Sequence, residues 1–189
     1  RLEARNQVLF ADEYRGHPFI HVPDVVADRC ADRVLTTELV EGARFDEVKA
    51  TWSQDERGLA GETIYRFVFR SLYRMHAFNG DPHPGNYLFH PGGRVTFLDF
   101  GLVTHFDGPE IQILPRMVES IVLDRDIAAY RQAIADAGFL PMDARFTDQP
   151  IEEYFGHFYD FVRDDPPMTI TPEWSSESVR RFFDASGPH

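Results

Sequence analysis

Asp81-Pro82-His83-Pro84-Gly85-Asn86, followed after a short apolar segment by Leu98-Asp99-Phe100-Gly101, decides how this chain is read. Four residues separate Asp81 from Asn86, and Asp99 comes thirteen positions after Asn86. Taken singly, Asp-Pro, Asn and Gly are ordinary turn formers, and 79–86 reads as a tight surface turn. The flanks give the loop more meaning. Upstream, residues 58–77 predict a helix, with Ile64, Phe67, Val68, Leu72 and Met75 at helical spacing. Tyr65, Phe69 and Tyr73 widen its apolar face enough to suggest burial in the centre of a domain. Downstream, Tyr87-Leu88-Phe89 and Val95-Thr96-Phe97-Leu98 predict two strands, joined as a hairpin at Pro91-Gly92-Gly93.

Helix, stiff loop, hairpin and Asp-Phe-Gly occur in that order, at the spacing of a protein-kinase catalytic loop and metal-binding motif. The chemistry explains the order. A nucleoside triphosphate brings clustered negative charge, and Mg²⁺ must bridge its phosphates. Mg²⁺ takes hard oxygen ligands and usually only one or two protein carboxylates. Asp99 would supply a carboxylate and Asn86 an amide oxygen. Asp81 would face the acceptor hydroxyl and take or orient its proton. Pro82 and Pro84 fix φ and stiffen the loop, and Gly101 frees the backbone after the metal ligand. A competing reading makes Asp81, His83 and Asp99 ligands of a transition metal in a hydrolase. No His-Glu-x-x-His or Cys-x-x-Cys spacing supports it. His83 reads better as a hydrogen bonder that orients the loop.

Away from this stretch, residues 1–13 read as the end of a helix closed by the turn at 14–18. Phe19–Pro23 and Val34–Val40 predict strands, with a third short strand or a hairpin between them. From 108 onward the pattern is helical. Ile111, Leu114, Met117, Val118, Ile121 and Val122 share a face, and Asp126 caps a helix reaching to Gly138. A further helix covers 150–163, and Thr171-Pro172 opens a last one running to about 184. Asp164-Asp165-Pro166-Pro167 is the best candidate for a linker.

Composition bounds the function. With 189 residues, 43% of them apolar and 17 of them Phe, the chain can build one sizeable aromatic core. A net charge of −12 argues against nucleic acid and against electrostatic docking on an anionic membrane. Cys30 is the only cysteine, so no internal disulfide can form, and a reducing, cytoplasmic setting is expected. No apolar run is long enough for a membrane span. Lys49 is the only lysine among 19 basic residues, which limits any mechanism that needs one.

The two motifs resemble the D-P-H-P-G-N and L-D-F-G motifs of the ABC1/UbiB/ADCK (AarF-type) atypical kinases. The flanks agree: Leu2-Glu3-Ala4-Arg5-Asn6 is similar to that family's E-A-x-N helix, and Val34 to Gly42 to its V-L-T-x-E-x-x-x-G hinge strand. The resemblance covers about 1–137. It implies an α+β, mainly α fold: a helical kinase-like C-lobe with a small catalytic hairpin over 41–163, preceded by N-lobe strands and hinge over 1–40. Residues 164–189 would form a helical extension. It implies Asp81 as the catalytic-loop aspartate, and Asn86 and Asp99 as Mg²⁺ ligands. Thr36 to Val40 would line the adenine pocket, with Thr37, Glu38, Leu39, Val40, Asn86 and Leu88 as nucleotide-binding residues and backbone hydrogen bonds from Glu38 and Val40. Glu3 would support the closed site. ATP binding and hydrolysis, a small-molecule or lipid acceptor, and a link to isoprenoid quinone (ubiquinone) biosynthesis follow as further implications.

The chain departs from that pattern at the lysine. Kinases hold the α- and β-phosphates with a lysine on an N-lobe strand and cover them with a Gly-rich loop. Lys49 falls after the hinge, and neither G-x-G-x-x-G nor K-x-G-Q is present. The chain is therefore expected to be a C-lobe fragment that binds ATP weakly alone. Two other readings stand beside the enzyme: a pseudokinase-like binding module, and a small-molecule kinase of the aminoglycoside/choline type. The latter usually carries H-x-D in its loop, which this chain does not. Acceptor, oligomeric state and membrane association of the full-length protein are left open by the sequence.

Overall fold

The computed structural model describes residues 1–138, 147–159, 162 and 171–182. The chain forms two compact units, Arg1–Phe106 and Asp107–His189.

In the first unit, helix α1 (Leu2–Glu13) buries Asn6, Gln7, Phe10 and Ala11 along one face. Strand β1 (Ile20–His21) follows. Helix α2 (Phe45–Thr51) precedes the long helix α3 (Gln54–Met75). The latter starts four residues before the expected position 58, because Ser53 and Glu56 close a reciprocal capping box. It stops at His76, whose left-handed backbone (φ 52°) breaks the helix. Strands β2 (Ala77–Asn79), β3 (Tyr87–His90), β4 (Arg94–Phe97) and β5 (Val103–His105) complete the unit. β3 and β4 form the expected antiparallel hairpin, and β1 joins β4 in parallel, giving the order β1-β4-β3. β2 pairs with β5 antiparallel, Asn79 opposite Val103.

Phenylalanines fill the core of this unit. The Phe67 ring stacks on Phe97 at 3.7 Å between centroids, and Phe10 lies 4.9 Å from Phe100. Each is almost completely buried, a contribution of roughly 2–3 kcal/mol apiece. α3 is docked on the hairpin through Thr63, whose hydroxyl donates to the Gly93 carbonyl at 2.7 Å. Gly93 is required there: its φ is +81°, and an added Cβ would lie 2.7 Å from Leu59 Cβ. The wide apolar face expected of α3 is only partly covered. Thr63, Phe67 and Leu72 are buried, while Tyr65 and Tyr73 lie half exposed beside Phe69.

Residues 34–40, expected as a strand, form no regular one. They fold back on 24–26 as an irregular hairpin, with Val26 N–H donating to Thr36 O and Glu38 N–H to Asp24 O, each at 2.8 Å. The bridges Val25–Thr37 and Ala31–Val34 are isolated. β-branched residues favour extension, but a ladder needs a neighbour along its whole length. The segment that follows pairs with β3 at the isolated Ala43–Phe89 bridge.

The second unit is helical: α4 (Gly108–Val118), α5 (Ile127–Asp136), α6 (Asp148–Phe155) and α7 (Pro172–Phe182). Asp107 closes a capping box on α4, and Asp126 caps α5 by accepting from Ala129 N–H at 2.9 Å. A π-helical turn over Glu119–Leu123 follows α4, which carries Pro115 in its interior. Met117, Ile121, Tyr130, Ile134 and Ile151 form its core. The expected linker at 164–167 lies outside the described residues. No helix of the described residues is long and apolar enough to cross a membrane.

Candidate active site

The loop between β2 and β3 is built almost entirely from its own side chains. Asp81 N–H donates to Asn79 Oδ1 at 3.3 Å, and the His83 N–H to Asp81 Oδ1 at 3.3 Å. His83 Nδ1 accepts from Gly85 N–H at 3.0 Å, which braces the loop as the sequence suggested. Asn86 Nδ2 donates to Asp81 Oδ2 at 2.9 Å. That bond joins the two ends of the loop and turns the amide so that its oxygen, not its nitrogen, is the open group.

Asp99 is brought to the same place by the sheet. The Leu98 N–H donates to Asn86 O at 2.9 Å, extending the β3–β4 ladder by one step. Asn79 Nδ2 reaches the Asp99 carbonyl at 2.7 Å. One carboxylate oxygen of Asp99 accepts from Gly101 N–H at 2.8 Å, which sets the orientation of the other. Helix α1 holds this segment from behind: buried Asn6 donates from Nδ2 to the Phe100 carbonyl at 3.0 Å. His105 Nε2 lies 3.2 Å from Asn6 Oδ1. The Glu3 carboxyl carbon lies 4.0 Å from where a Cβ on Gly101 would stand.

Asn86 Oδ1 and the second Asp99 oxygen are left uncommitted and are hard-oxygen donors of the kind Mg²⁺ takes, with phosphate oxygens and water completing its shell. They fit that ion. Among the described residues no three His, Cys, Asp or Glu side chains gather as a metal cage. The transition-metal reading of Asp81, His83 and Asp99 therefore has no assembled ligand set, and His83 Nδ1 is already engaged.

A cleft of about 760 Å³ adjoins the loop. It is lined by residues 38–42, 44–46 and 83–85 and by Tyr87, Leu88 and Leu98. Of the expected nucleotide-binding residues, Glu38, Leu39, Val40 and Leu88 line it. Thr37 and Asn86 do not: Thr37 bridges Val25 in the hairpin, and Asn86 is tied to Asp81 in the loop. The Glu38 N–H is taken by Asp24 O, so a backbone hydrogen bond from Glu38 to a nucleotide would have to use its carbonyl. Burial, with the Asp81 carboxylate adding to it, pushes the Tyr87 hydroxyl above its ordinary value. Lys49 is not part of the cleft.

Under the cleft lies a polar chain through the sheet. Thr96, fully buried, places its hydroxyl 3.1 Å from His21 Nδ1 and 2.8 Å from His90 Nε2. His21 Nε2 is 3.4 Å from Glu38 Oε2. Burial lowers the His90 pKa, helped by Arg94 and His21.

Sequence reasoning missed Asn6 and Asn79. Both act through backbone carbonyls far along the chain, so local spacing assigns neither its role, even though Asn6 closes the E-A-x-N stretch.

The ABC1 atypical kinase-like domain model matches residues 1–134. The chain belongs to the ABC1 atypical kinase-like family. Its relatives in that family include Protein ACTIVITY OF BC1 COMPLEX KINASE 3, chloroplastic, of Arabidopsis thaliana, 33% identical over 162 residues. That match covers 84% of this chain and 22% of the relative. An uncharacterized Synechocystis protein is 34% identical over 147 residues, covering 75% of this chain and 21% of its own length. Among solved structures, a Mycobacterium tuberculosis protein in complex with erythromycin superposes with a TM-score of 0.77 at 27% identity. It covers 95% of this chain and 45% of that one. The chain thus spans about a fifth of these two curated relatives and under half of the solved one. ABC1 membership confirms the kinase-like α+β fold and sets aside the aminoglycoside/choline branch.

Proposed function

We propose that this chain carries the metal- and acceptor-facing half of an ATP- and Mg²⁺-dependent site that transfers the γ-phosphoryl group to a small-molecule or lipid acceptor, or to water. The observation that carries this reading is the Asn86 amide, tied to Asp81 through its nitrogen at 2.9 Å, which leaves its oxygen uncommitted. Asp99, braced by Gly101, offers the second oxygen.

In this reading Asn86 Oδ1 and Asp99 hold Mg²⁺, whose charge would offset that of the phosphates. Asp81 accepts the proton of the attacking hydroxyl on a carboxylate lone pair left over from its loop bonds. Tyr87, Leu88 and Leu98, which line the cleft with 38–42, supply the apolar surface on which an adenine would stack. The family's association with isoprenoid quinone biosynthesis suggests an apolar acceptor. Lys49 stands outside the cleft, whose lining holds Arg44 but no lysine for the α- and β-phosphates, and the chain by itself should bind Mg-ATP weakly and turn it over negligibly.

The test is an amide-resolved NMR titration of the chain with Mg²⁺ and a non-hydrolysable ATP analogue, a method that reads millimolar binding. Shifts should appear at Val40, Leu88 and Asp99, and should shrink at least ten-fold in Asp99→Asn or without Mg²⁺. Equal shifts in the wild type and Asp99→Asn would remove Asp99 from the metal site.

A further inference from the structure

A second cavity, of about 330 Å³, lies between α2, α3 and the catalytic loop. Its size is at the small end of small-molecule sites. Val48, Ala60, Ile64 and Phe89 form its floor and walls, and Pro82 and Pro84 close the side nearest Asp81. The only charged groups in its lining are Lys49 and Arg57.

Those two cations set this cavity apart. The chain carries 31 acidic and 19 basic residues, yet no acid lines this cavity. Lys49 makes no ion pair among the described residues. Arg57 donates to the Lys49 carbonyl at 3.3 Å and to Gln54 Oε1 at 3.0 Å, both neutral partners. Its guanidinium therefore keeps its whole charge and spare N–H donors at the site. The only lysine of the chain and an uncompensated arginine thus stand over an otherwise apolar hollow.

We propose that this pocket binds a small amphipathic anion: an apolar body seated on Val48, Ala60 and Ile64, with a single carboxylate or similar head between Lys49 and Arg57. The site is separate from the nucleotide reading and does not depend on it. Phe45, Pro84 and Tyr87 line both cavities, so they form the partition through which an occupant would be felt in the cleft.

Gly61 provides a clean test. It lines the pocket, and a Cβ built there meets nothing within 4 Å. Gly61→Leu would fill the hollow and also replace a helix-interior glycine with a strong helix former, so α3 should gain stability. The probe is laurate at pH 7, below its micelle concentration, compared with dodecanol and dodecyltrimethylammonium. Binding is read by NMR shifts at Val48, Ala60 and Gly61. Laurate should bind about three- to ten-fold more tightly than dodecanol, as two partly exposed charge contacts allow, and the cation should not bind. Lys49→Gln should bring laurate close to dodecanol, and Gly61→Leu should abolish binding of both while its thermal midpoint holds or rises. The proposal fails if laurate moves no resonance around the pocket. It also fails if dodecanol or the cation binds as well as laurate, or if Gly61→Leu binds unchanged.

Discussion

Asn6→Ala tests whether α1 holds the metal-binding strand in place or only packs beside it. The substitution removes two contacts of unequal weight. At the His105 end the partner is an exposed ring, and water can replace the lost bond at little cost. At the other end the Phe100 carbonyl belongs to a residue that is 0% exposed, so its lone pairs are left with no donor. An orphaned buried acceptor costs about 1–3 kcal/mol. The expected loss is therefore about 2 kcal/mol, a roughly 30-fold fall in the folding constant of the first unit. Urea unfolding measures it. Trp52, packed against the core of the first unit, is the reporter in a Trp174→Phe background, so the second unit is silent. The Asn6→Ala midpoint should fall, with the slope of free energy against urea unchanged. A loss below about 0.5 kcal/mol would refute the argument. It would mean that the Phe100 carbonyl finds water or another donor, and that α1 does not anchor Asp99.

Gly58 sits inside α3 with open space where a Cβ would go, so Gly58→Ala should raise stability by about 0.5–1 kcal/mol in the same urea assay. Gly93→Ala should do the reverse and cost more than about 2 kcal/mol, because a positive φ and a Leu59 backbone atom at 3.2 Å leave no relaxed position for the methyl. The lowered His90 pKa predicts an acid-sensitive fold. The unfolded chain binds the proton more readily than the folded one, so stability present above about pH 6.5 is lost as pH falls toward the folded value. His90→Gln should flatten urea midpoints measured between pH 7 and 5.5; an unchanged slope would remove His90 as the source.

The motif residues were legible because their geometry is local. Asp81, His83, Gly85 and Asn86 bond to one another within five residues, so sequence spacing and spatial spacing coincide. Helix α3 was legible from its period, but its first turn was not: the apolar pattern begins only at Leu59, and the Ser53-Gln54-Asp55-Glu56 box that starts the helix is polar. Helix α2 escaped because a seven-residue helix that buries only Val48 leaves no periodic trace. The run 34–40 misled because β-branched residues report a preference for extension, not the presence of a partner strand. Asn79 had no readable role, and Asn6 was marked only as part of the E-A-x-N stretch, with no role attached. Their acceptors lie 20 and 94 positions away, and only the folded chain makes them neighbours of the site.

The hydroxyl shared by His21 and His90 imposes a direction on the sheet. Thr96 owns one proton, so it can donate to only one of the two rings, and the other ring must donate to it. If Thr96 gave its proton to His90, neutral His21 would carry its hydrogen on Nδ1 and turn a bare Nε2 lone pair toward the Glu38 carboxylate at 3.4 Å, an arrangement that repels. The opposite order satisfies every atom: His90 Nε2–H to Thr96, Thr96 to His21 Nδ1, and His21 Nε2–H to Glu38. The two imidazoles are therefore locked into the same tautomer, each protonated at Nε2, but they present opposite roles to the Thr96 oxygen: His90 donates through Nε2 and His21 accepts through Nδ1. A side chain on the rim of the cleft thus ends a one-way line of donors that begins on the far strand of the sheet.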